Sequence, residues 1–236
     1  MHKTKNLSVY RHELKYYISY VDYIRLKEIL QNFMRCDENT CGDRGYWIRS
    51  LYFDTPDDKE YLEKMMGLER RKKIRLRIYN CDTQRVKLEI KKKFNEYMHK
   101  ETASITRDEA LKLIQGDKNF LLESENTVLQ HVYYYMTQEY YLPTVVVDYM
   151  RVAFVEHFNN IRITFDHDIS ACITDFNIFN KDLNMCPSFD AGTIVLEVKY
   201  NNFLPNWLKN ALSCINTVNS SISKYCYSRE ACLVNT

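Results

Sequence analysis

Charged and apolar side chains alternate with a period of two in several separate stretches of this chain, the pattern of strands with one charged and one apolar face. Arg11, Glu13 and Lys15 alternate with Leu14 and Tyr16, Arg75 and Arg77 with Ile74, Leu76 and Ile78, and Lys87, Glu89, Lys91 and Lys93 with Val86, Leu88 and Ile90. Arg162 sits between Ile161 and Ile163, Glu197 and Lys199 alternate with Leu196 and Val198, and Tyr149 and Arg151 share a face within Val145 to Phe154. Strands are therefore predicted near 10 to 18, 49 to 53, 144 to 155, 160 to 166 and 193 to 200, with a basic hairpin over 70 to 93 whose connection is Asn80 to Gln84.

Between these groups the period changes to that of a helix. Ile24, Ile29, Leu30 and Phe33 mark one over Val21 to Met34, and Asp58 to Met66 follows the turn Asp54-Thr55-Pro56-Asp57. Thr106 and Glu109 form a capping box that opens a helix ending at Gly116. Two more are expected, from Phe120 to Gln138 and from Pro205 through Ile215. The fold class is α+β, strand-dominated, with helices flanking one antiparallel sheet.

The 236 residues show no Ser/Gly/Pro-rich linker and no internal repeat, so a single domain over 1 to 236 is expected. No apolar run approaches the ~20 residues of a membrane span, and Met1-His2-Lys3-Thr4-Lys5 leads into no signal-peptide core. A cytoplasmic protein without a membrane span is the expectation. The eight cysteines are scattered, with no CxxC pair and no zinc spacing, and read as reduced thiols.

Net charge is only +2, but its distribution is uneven. The shared strand face would carry Lys15, Arg75, Arg77, Lys91, Arg151, Arg162 and Lys199 against Glu13, Glu89 and Glu197. Like charges placed opposite one another destabilise a sheet, and burying unpaired ions costs several kcal/mol each. Such a face should line water or a polyanion. A closed barrel of about eight strands, its outer apolar side covered by helices, would turn the charges into a lumen. Arginine forks suit phosphate oxygens, and carboxylates among them suit a magnesium-like ion that bridges protein and phosphate. Nucleic acid is disfavoured as a partner, because the cations alternate with aliphatic residues rather than with stacking aromatics.

Several segments in order resemble the motifs of the VTC domain, the polyphosphate polymerase branch of the triphosphate tunnel metalloenzymes: Arg11 to Tyr16, Ser50 to Asp54, Arg75 to Tyr79, Leu88 to Lys92, Asp148 to Phe154, Arg162 to Asp166, Leu196 to Lys199 and Ser223 to Tyr225. The resemblance implies an antiparallel β-barrel tunnel that moves the γ-phosphate of ATP onto inorganic polyphosphate, releasing ADP, with Mn2+ or Mg2+. It also implies Lys15, Arg75, Arg77, Lys91, Arg151, Arg162 and Lys224 as phosphate ligands, joined by Lys199, with Tyr149 as a hydrogen-bond donor to phosphate. Arg151, Arg162 and Glu197 would be the catalytic group, with Glu197 as the metal ligand and Glu13 and Glu89 as further carboxylates for the metal.

The chain departs from the hydrolytic relatives, which begin with ExExK, because Arg11 replaces the first glutamate. That favours the polymerase. Glu13 remains, so a tunnel phosphohydrolase acting on triphosphate or nucleotides stays open, as does a polyphosphate-binding module without turnover. No nucleophile is needed from the six histidines: phosphoryl transfer draws mainly on positioning and charge neutralisation. His12 alternates away from the charged face, and Asp166-His167-Asp168 reads as a strand end and turn.

Overall fold

The computed structural model describes residues 11–40, 42–80, 84–95, 97–215 and 220–234. The start Met1 to Lys5, the side chain of Arg11 and the middle of the Asn80 to Gln84 connection lie outside the described residues. The chain runs β1 (Arg11–Ile18), α1 (Tyr20–Phe33), β2 (Arg35–Cys36), β3 (Tyr46–Asp54), α2 (Lys59–Met65), β4 (Arg70–Tyr79), β5 (Val86–Phe94) and β6 (Tyr97–Ile105). It continues through α3 (Arg107–Ile114), α4 (Asn119–Glu123), α5 (Thr127–Gln138), β7 (Leu142–Glu156), β8 (Ile161–Cys172), β9 (Cys186–Pro187), β10 (Ile194–Asn201), α6 (Asn206–Ser213) and α7 (Lys224–Val234).

The strands order as β1-β10-β8-β7-β3-β4-β5-β6, with β2 on β7 and β9 on β8. The α+β class with an antiparallel sheet is as the alternation predicts. The closing ladder is not: among the described residues the hydrogen-bonded path has two ends, β1 and β6. Neither face of the sheet requires closure by backbone pairing. The apolar face is buried under helices and loops, and the charged face is balanced in part by ion pairs, as described below.

Chain contacts group into two compact units, each of several segments. The first holds the described part of Met1–Tyr46 with Met150–Asp168 and Asp190–Ile222, and the second Trp47–Tyr149, Ile169–Phe189 and the described part of Ser223–Thr236. Each has its own core. In the first, Leu26 and Leu30 of α1 and Leu208 and Ala211 of α6 pack on Phe154, Ile163, Phe165, Leu196 and Val198. In the second, Leu51, Phe53, Ile74, Leu76, Ile78, Leu88 and Ile90 pack under Leu113, Leu129, Val132 and Met136. These strand residues are the apolar halves of the alternating stretches, so burial of that face at ~25 cal/mol per Å2 drives the arrangement.

The second unit also buries the Arg49–Asp148 ion pair on its apolar side. Arg49 grips Asp148 through Nε and a terminal nitrogen, both at 2.7 Å, and donates to the carbonyls of Ile178 and Asn180. In the first unit Gly45, at φ +80°, lets the chain pass over Arg151: a Cβ there would lie 2.0 Å from the Arg151 carbonyl oxygen.

Four boundaries differ from expectation for local reasons. The helix expected over Phe120 to Gln138 is two, because the Asn126 side chain accepts from Val128 N and Ser124 Oγ accepts from Asn126 N, which gives the backbone a non-helical alternative and a fresh N-cap. Strand β6 was not predicted: only Ala103 and Ile105 of it are buried, too few to show a period. Strand β8 runs on to Cys172 through Asp168 at φ 52°, so Asp166 to Asp168 is not a strand end. Helix α7 follows the Ser223 to Tyr225 motif, where the low amphipathicity of Lys224–Val234 gave no helical signal. The described cysteines are all free thiols, and no described helix is long and apolar enough to cross a membrane.

Candidate active site

In the second unit the β3-β4-β5-β6 register gathers a cationic cluster. Arg75 on β4 lies directly between Tyr52 on β3 and Glu89 on β5, and Glu89 in turn faces Thr102 on β6. Glu89 Oε2 accepts from Arg75 Nε at 2.6 Å and lies 2.6 Å from Nη2, and Tyr52 Oη accepts from Arg75 Nη1 at 3.0 Å. Lys100 also pairs with Glu89, and Arg77 stands 4.0 Å from it. Arg77 is held by Ser50 Oγ at 3.0 Å and by Tyr149 Oη at 3.1 Å, and Lys224 Nζ lies 5.4 Å from the centre of the Tyr149 ring.

Lys91 is placed opposite Lys73 on one side and Lys100 on the other. A row of three ammonium-bearing strands positions is unfavourable in itself. Lys73 Nζ donates to Ser223 Oγ at 2.8 Å and lies over the Tyr225 ring. Helix α7 is fixed here because the Tyr225 hydroxyl donates to Asp54 and Arg229 pairs with Asp58 at 2.7 Å.

These charges tune one another. Burial opposes ionisation of Glu89, but Arg75, Arg77 and Lys100 overcome it and hold the carboxyl at about 2. Burial would likewise raise the Tyr52 phenol, yet Arg75, Arg77 and Lys73 bring it down to about 8. The Arg75 guanidinium is pushed up by Tyr52 and Glu89 in spite of its burial. The cluster keeps its arginines charged at any working pH and carries more positive than negative charge.

In the first unit β1 and β10 set Lys15 opposite Glu197 and Glu13 opposite Lys199. The result is an alternating quartet. Lys15 Nζ is 3.4 Å from Glu13 and 3.6 Å from Glu197, and Lys199 Nζ is 3.7 Å from Glu13 and 3.0 Å from Glu197. Strand β8 adds Arg162, opposite Lys199 and paired with Asp37 at 2.7 Å, and Thr164, opposite Glu197. Arg151 makes a two-pronged contact with Asp166, both prongs at 2.6 Å.

The residues expected at the site thus fall into two sets. Arg75, Arg77, Glu89, Lys91, Tyr149 and Lys224 come together in the second unit, and Glu13, Lys15, Arg151, Arg162, Glu197 and Lys199 lie on the sheet of the first. Tyr52, Ser50, Lys73 and Lys100 are additional members that the sequence did not single out. Tyr52 and Ser50 stand inside an alternating segment, but their hydroxyls carry no charge to mark them; Lys100 is on the unrecognised strand β6.

His12 stacks on Tyr200 at 4.8 Å, a contact on the uncharged side of β1. Lys92 faces away from the cationic cluster, pairing with Glu101 at 2.6 Å and lying over the Tyr135 ring. Lys92→Ala is therefore expected to leave binding of inorganic tripolyphosphate within about twofold and to cost no more than about 1 kcal/mol of stability, as for a partly exposed pair. Isothermal titration with tripolyphosphate and a thermal melt check both.

For a divalent cation the donor set is small. Among the described residues no group of three or more His, Cys, Asp and Glu side chains is placed to hold a metal ion. Glu13 and Glu197 share two ammonium neighbours and offer hard carboxylate oxygens. Magnesium and manganese are commonly held by one or two carboxylates, with water and substrate phosphate completing the shell, so this pair fits such an ion. Glu89 fits less well, being committed to Arg75 and Lys100.

A family model for the VTC domain matches residues 10–233. No curated protein matches the chain. A candidate adenylate cyclase from Bacillus halodurans has a similar structure, with a TM-score of 0.50 at 11% identity over 88% of this chain and 91% of that one. A Pyrococcus horikoshii protein aligns over 96% of this chain and 99% of its own, at 12% identity and a TM-score of 0.46. The first likeness is one of fold, and it agrees with the antiparallel α+β architecture. With nearly its whole length matched, the chain belongs to the VTC domain family.

Proposed function

We propose that this protein is a polyphosphate polymerase that transfers the γ-phosphoryl group of ATP to a growing inorganic polyphosphate chain and releases ADP. The observation that carries this reading is the gathering of Arg75, Arg77 and Lys91 on one sheet face, with Lys224 of α7 over Tyr149, in a chain matched by the VTC domain from 10 to 233. Phosphoryl transfer asks a protein for alignment and charge neutralisation rather than for a nucleophile. Arg75 and Arg77 are held rigidly enough to supply both, since each is hydrogen-bonded to side chains on two other strands.

Glu197, with Glu13, would hold Mg2+ or Mn2+, which supplies charge neutralisation of phosphate oxygens when bound. Lys15 and Lys199 neutralise the same carboxylates in its absence and can turn to phosphate in its presence. Arg151 and Arg162 are the phosphate ligands of the first unit, each oriented by an acid, Asp166 and Asp37.

A second reading is a phosphohydrolase acting on inorganic triphosphate or nucleoside triphosphates, favoured by Glu13 beside Glu197 as a second carboxylate. Incubation of the pure protein with ATP and Mn2+ decides between them. Long polyphosphate with stoichiometric ADP is expected. Orthophosphate without any chain would establish hydrolysis, and binding of polyphosphate without product would leave a binding module.

A further inference from the structure

We infer that Tyr52 is a phosphate-contacting residue of the second unit's cationic cluster, its neutral hydroxyl donating to a phosphate oxygen that Arg75 holds at the same time. This rests on the reading of that cluster as a phosphate site. Tyr52 is buried on the charged face of β3, and the β3-β4 register sets it directly opposite Arg75. Its oxygen accepts from Arg75 Nη1 at 3.0 Å. A phenol has one proton to give, and among the described residues no acceptor takes it.

Arg75 is half-committed in the same way. A guanidinium has five N–H groups; Glu89 takes one from Nε and lies 2.6 Å from Nη2, and Tyr52 takes one from Nη1. At least one hydrogen on each terminal nitrogen is left for a further acceptor. An anion reaching the Arg75 terminal nitrogens and the Tyr52 hydroxyl would meet donors on two residues that are already fixed, because the Tyr52 ring packs against Tyr225 at 5.2 Å and lies 5.7 Å from the Arg75 guanidinium.

The surroundings make the contact dependent on pH. The charged and titratable groups around the ring are Lys73, Arg75 and Arg77 from β4, Glu89 from β5 behind Arg75, Lys100 from β6 behind Glu89, Tyr149 from β7 against Arg77, Asp54 from β3, and Tyr225 and Arg229 from α7. The cations nearest to it bring the phenol to about 8 despite its burial. Above that pH the tyrosinate has no proton to donate, offsets one unit of the arginine charge and repels phosphate. A phosphate bound there favours the neutral phenol, so its affinity should fall about tenfold per pH unit above pH 8, the slope of one linked proton.

The test is binding of inorganic tripolyphosphate, without metal, to the whole chain from pH 6.5 to 9.5, for wild type and Tyr52→Phe. Any alkaline change in the ligand itself is common to both proteins. At pH 7 the variant should bind about tenfold more weakly, the loss of one hydrogen bond to a charged acceptor. Above pH 8 the two curves should converge as the wild type loses its advantage. Tyrosinate absorbance supplies a second readout: the wild type should show a titration near pH 8 that tripolyphosphate moves upward and that Tyr52→Phe lacks. Weaker binding at every pH, with the same alkaline fall in both proteins, would mean that Tyr52 only steadies Arg75 and would overturn the inference. Unchanged binding in the variant would overturn it too. Failure of the wild type to bind tripolyphosphate at any pH would instead remove the phosphate reading of the cluster itself.

Discussion

Glu197→Gln is expected to abolish metal-dependent polyphosphate synthesis while leaving a folded protein. The substitution keeps the side chain's volume and its hydrogen-bonding capacity, and removes the charge that a divalent cation needs. Glu197 is buried at the centre of a quartet in which Lys15 and Lys199 each face two acids. With glutamine there, Glu13 still faces both ammonium groups, and the lysines are partly exposed, so solvent screens the loss. The stability change should stay near 1 kcal/mol. Turnover should fall by at least about 10³-fold, the effect of removing a preorganised electrostatic partner from a phosphoryl-transfer site. Polyphosphate formation on gels measures the first effect, a thermal melt the second, and Mn2+ binding followed by water-proton relaxation should be weakened in parallel. Mn2+-dependent synthesis within tenfold of the wild type would move the metal elsewhere.

How much of this could be read from the sequence depends on the physical signal each part leaves. A charged residue every second position is visible because the strand period is short and the two faces have opposite chemistry, and β1, β4, β5, β8 and β10 all carry it. Arg75, Arg77, Lys91, Glu197 and Lys199 were legible for that reason, and the ladder places them on the face that the alternation assigns them. Partners were not legible, since pairing depends on register, and register is set by contacts distant along the chain.

Three examples show this. Nothing near Arg151 in sequence points to Asp166, nothing near Arg162 points to Asp37, and Lys100 becomes a neighbour of Glu89 only once β6 is laid against β5. Tyr52 is a sharper case. Its place in Ser50 to Asp54 is visible, but its chemistry arises from Arg75, Arg77 and Lys73, which β4 brings up beside it. Closure of the sheet was inferred from the cost of exposing or burying like charges. That cost is met in part by the acids among them: Glu89 faces Arg75, Arg77 and Lys100, and Glu197 faces Lys15 and Lys199, so the hydrogen-bonded path can end at β1 and β6.

The pairing of Arg75 with Glu89 allows the arginine's catalytic role to be separated from its structural one. Arg75→Ala removes two donors offered to phosphate, and synthesis should fall about 10²- to 10³-fold, or about 2.7 to 4 kcal/mol of transition-state stabilisation. It also strips Glu89, which is 2% exposed, of one of its cations. A buried charge left without any partner costs about 3 to 5 kcal/mol; Lys100 and Arg77 remain near Glu89, so the loss of stability should be smaller, about 1 to 3 kcal/mol. Adding Glu89→Gln removes the stranded charge, and the double variant should recover most of that stability and none of the activity.

The pH dependence has a definite sign. Glu89 is lowered from 4.5 to about 2 in the folded chain, so its ion pairs stabilise the fold fully above pH 4.5 and progressively less as pH falls toward 2. The stability gap between wild type and Arg75→Ala should therefore be widest near neutrality and narrow on acidification, which urea titrations at a series of pH values will measure. If the double variant regains synthesis along with stability, Arg75 contributes only to the fold, and Arg77, held by Ser50 and Tyr149 on the same face, becomes the principal phosphate ligand of the cluster.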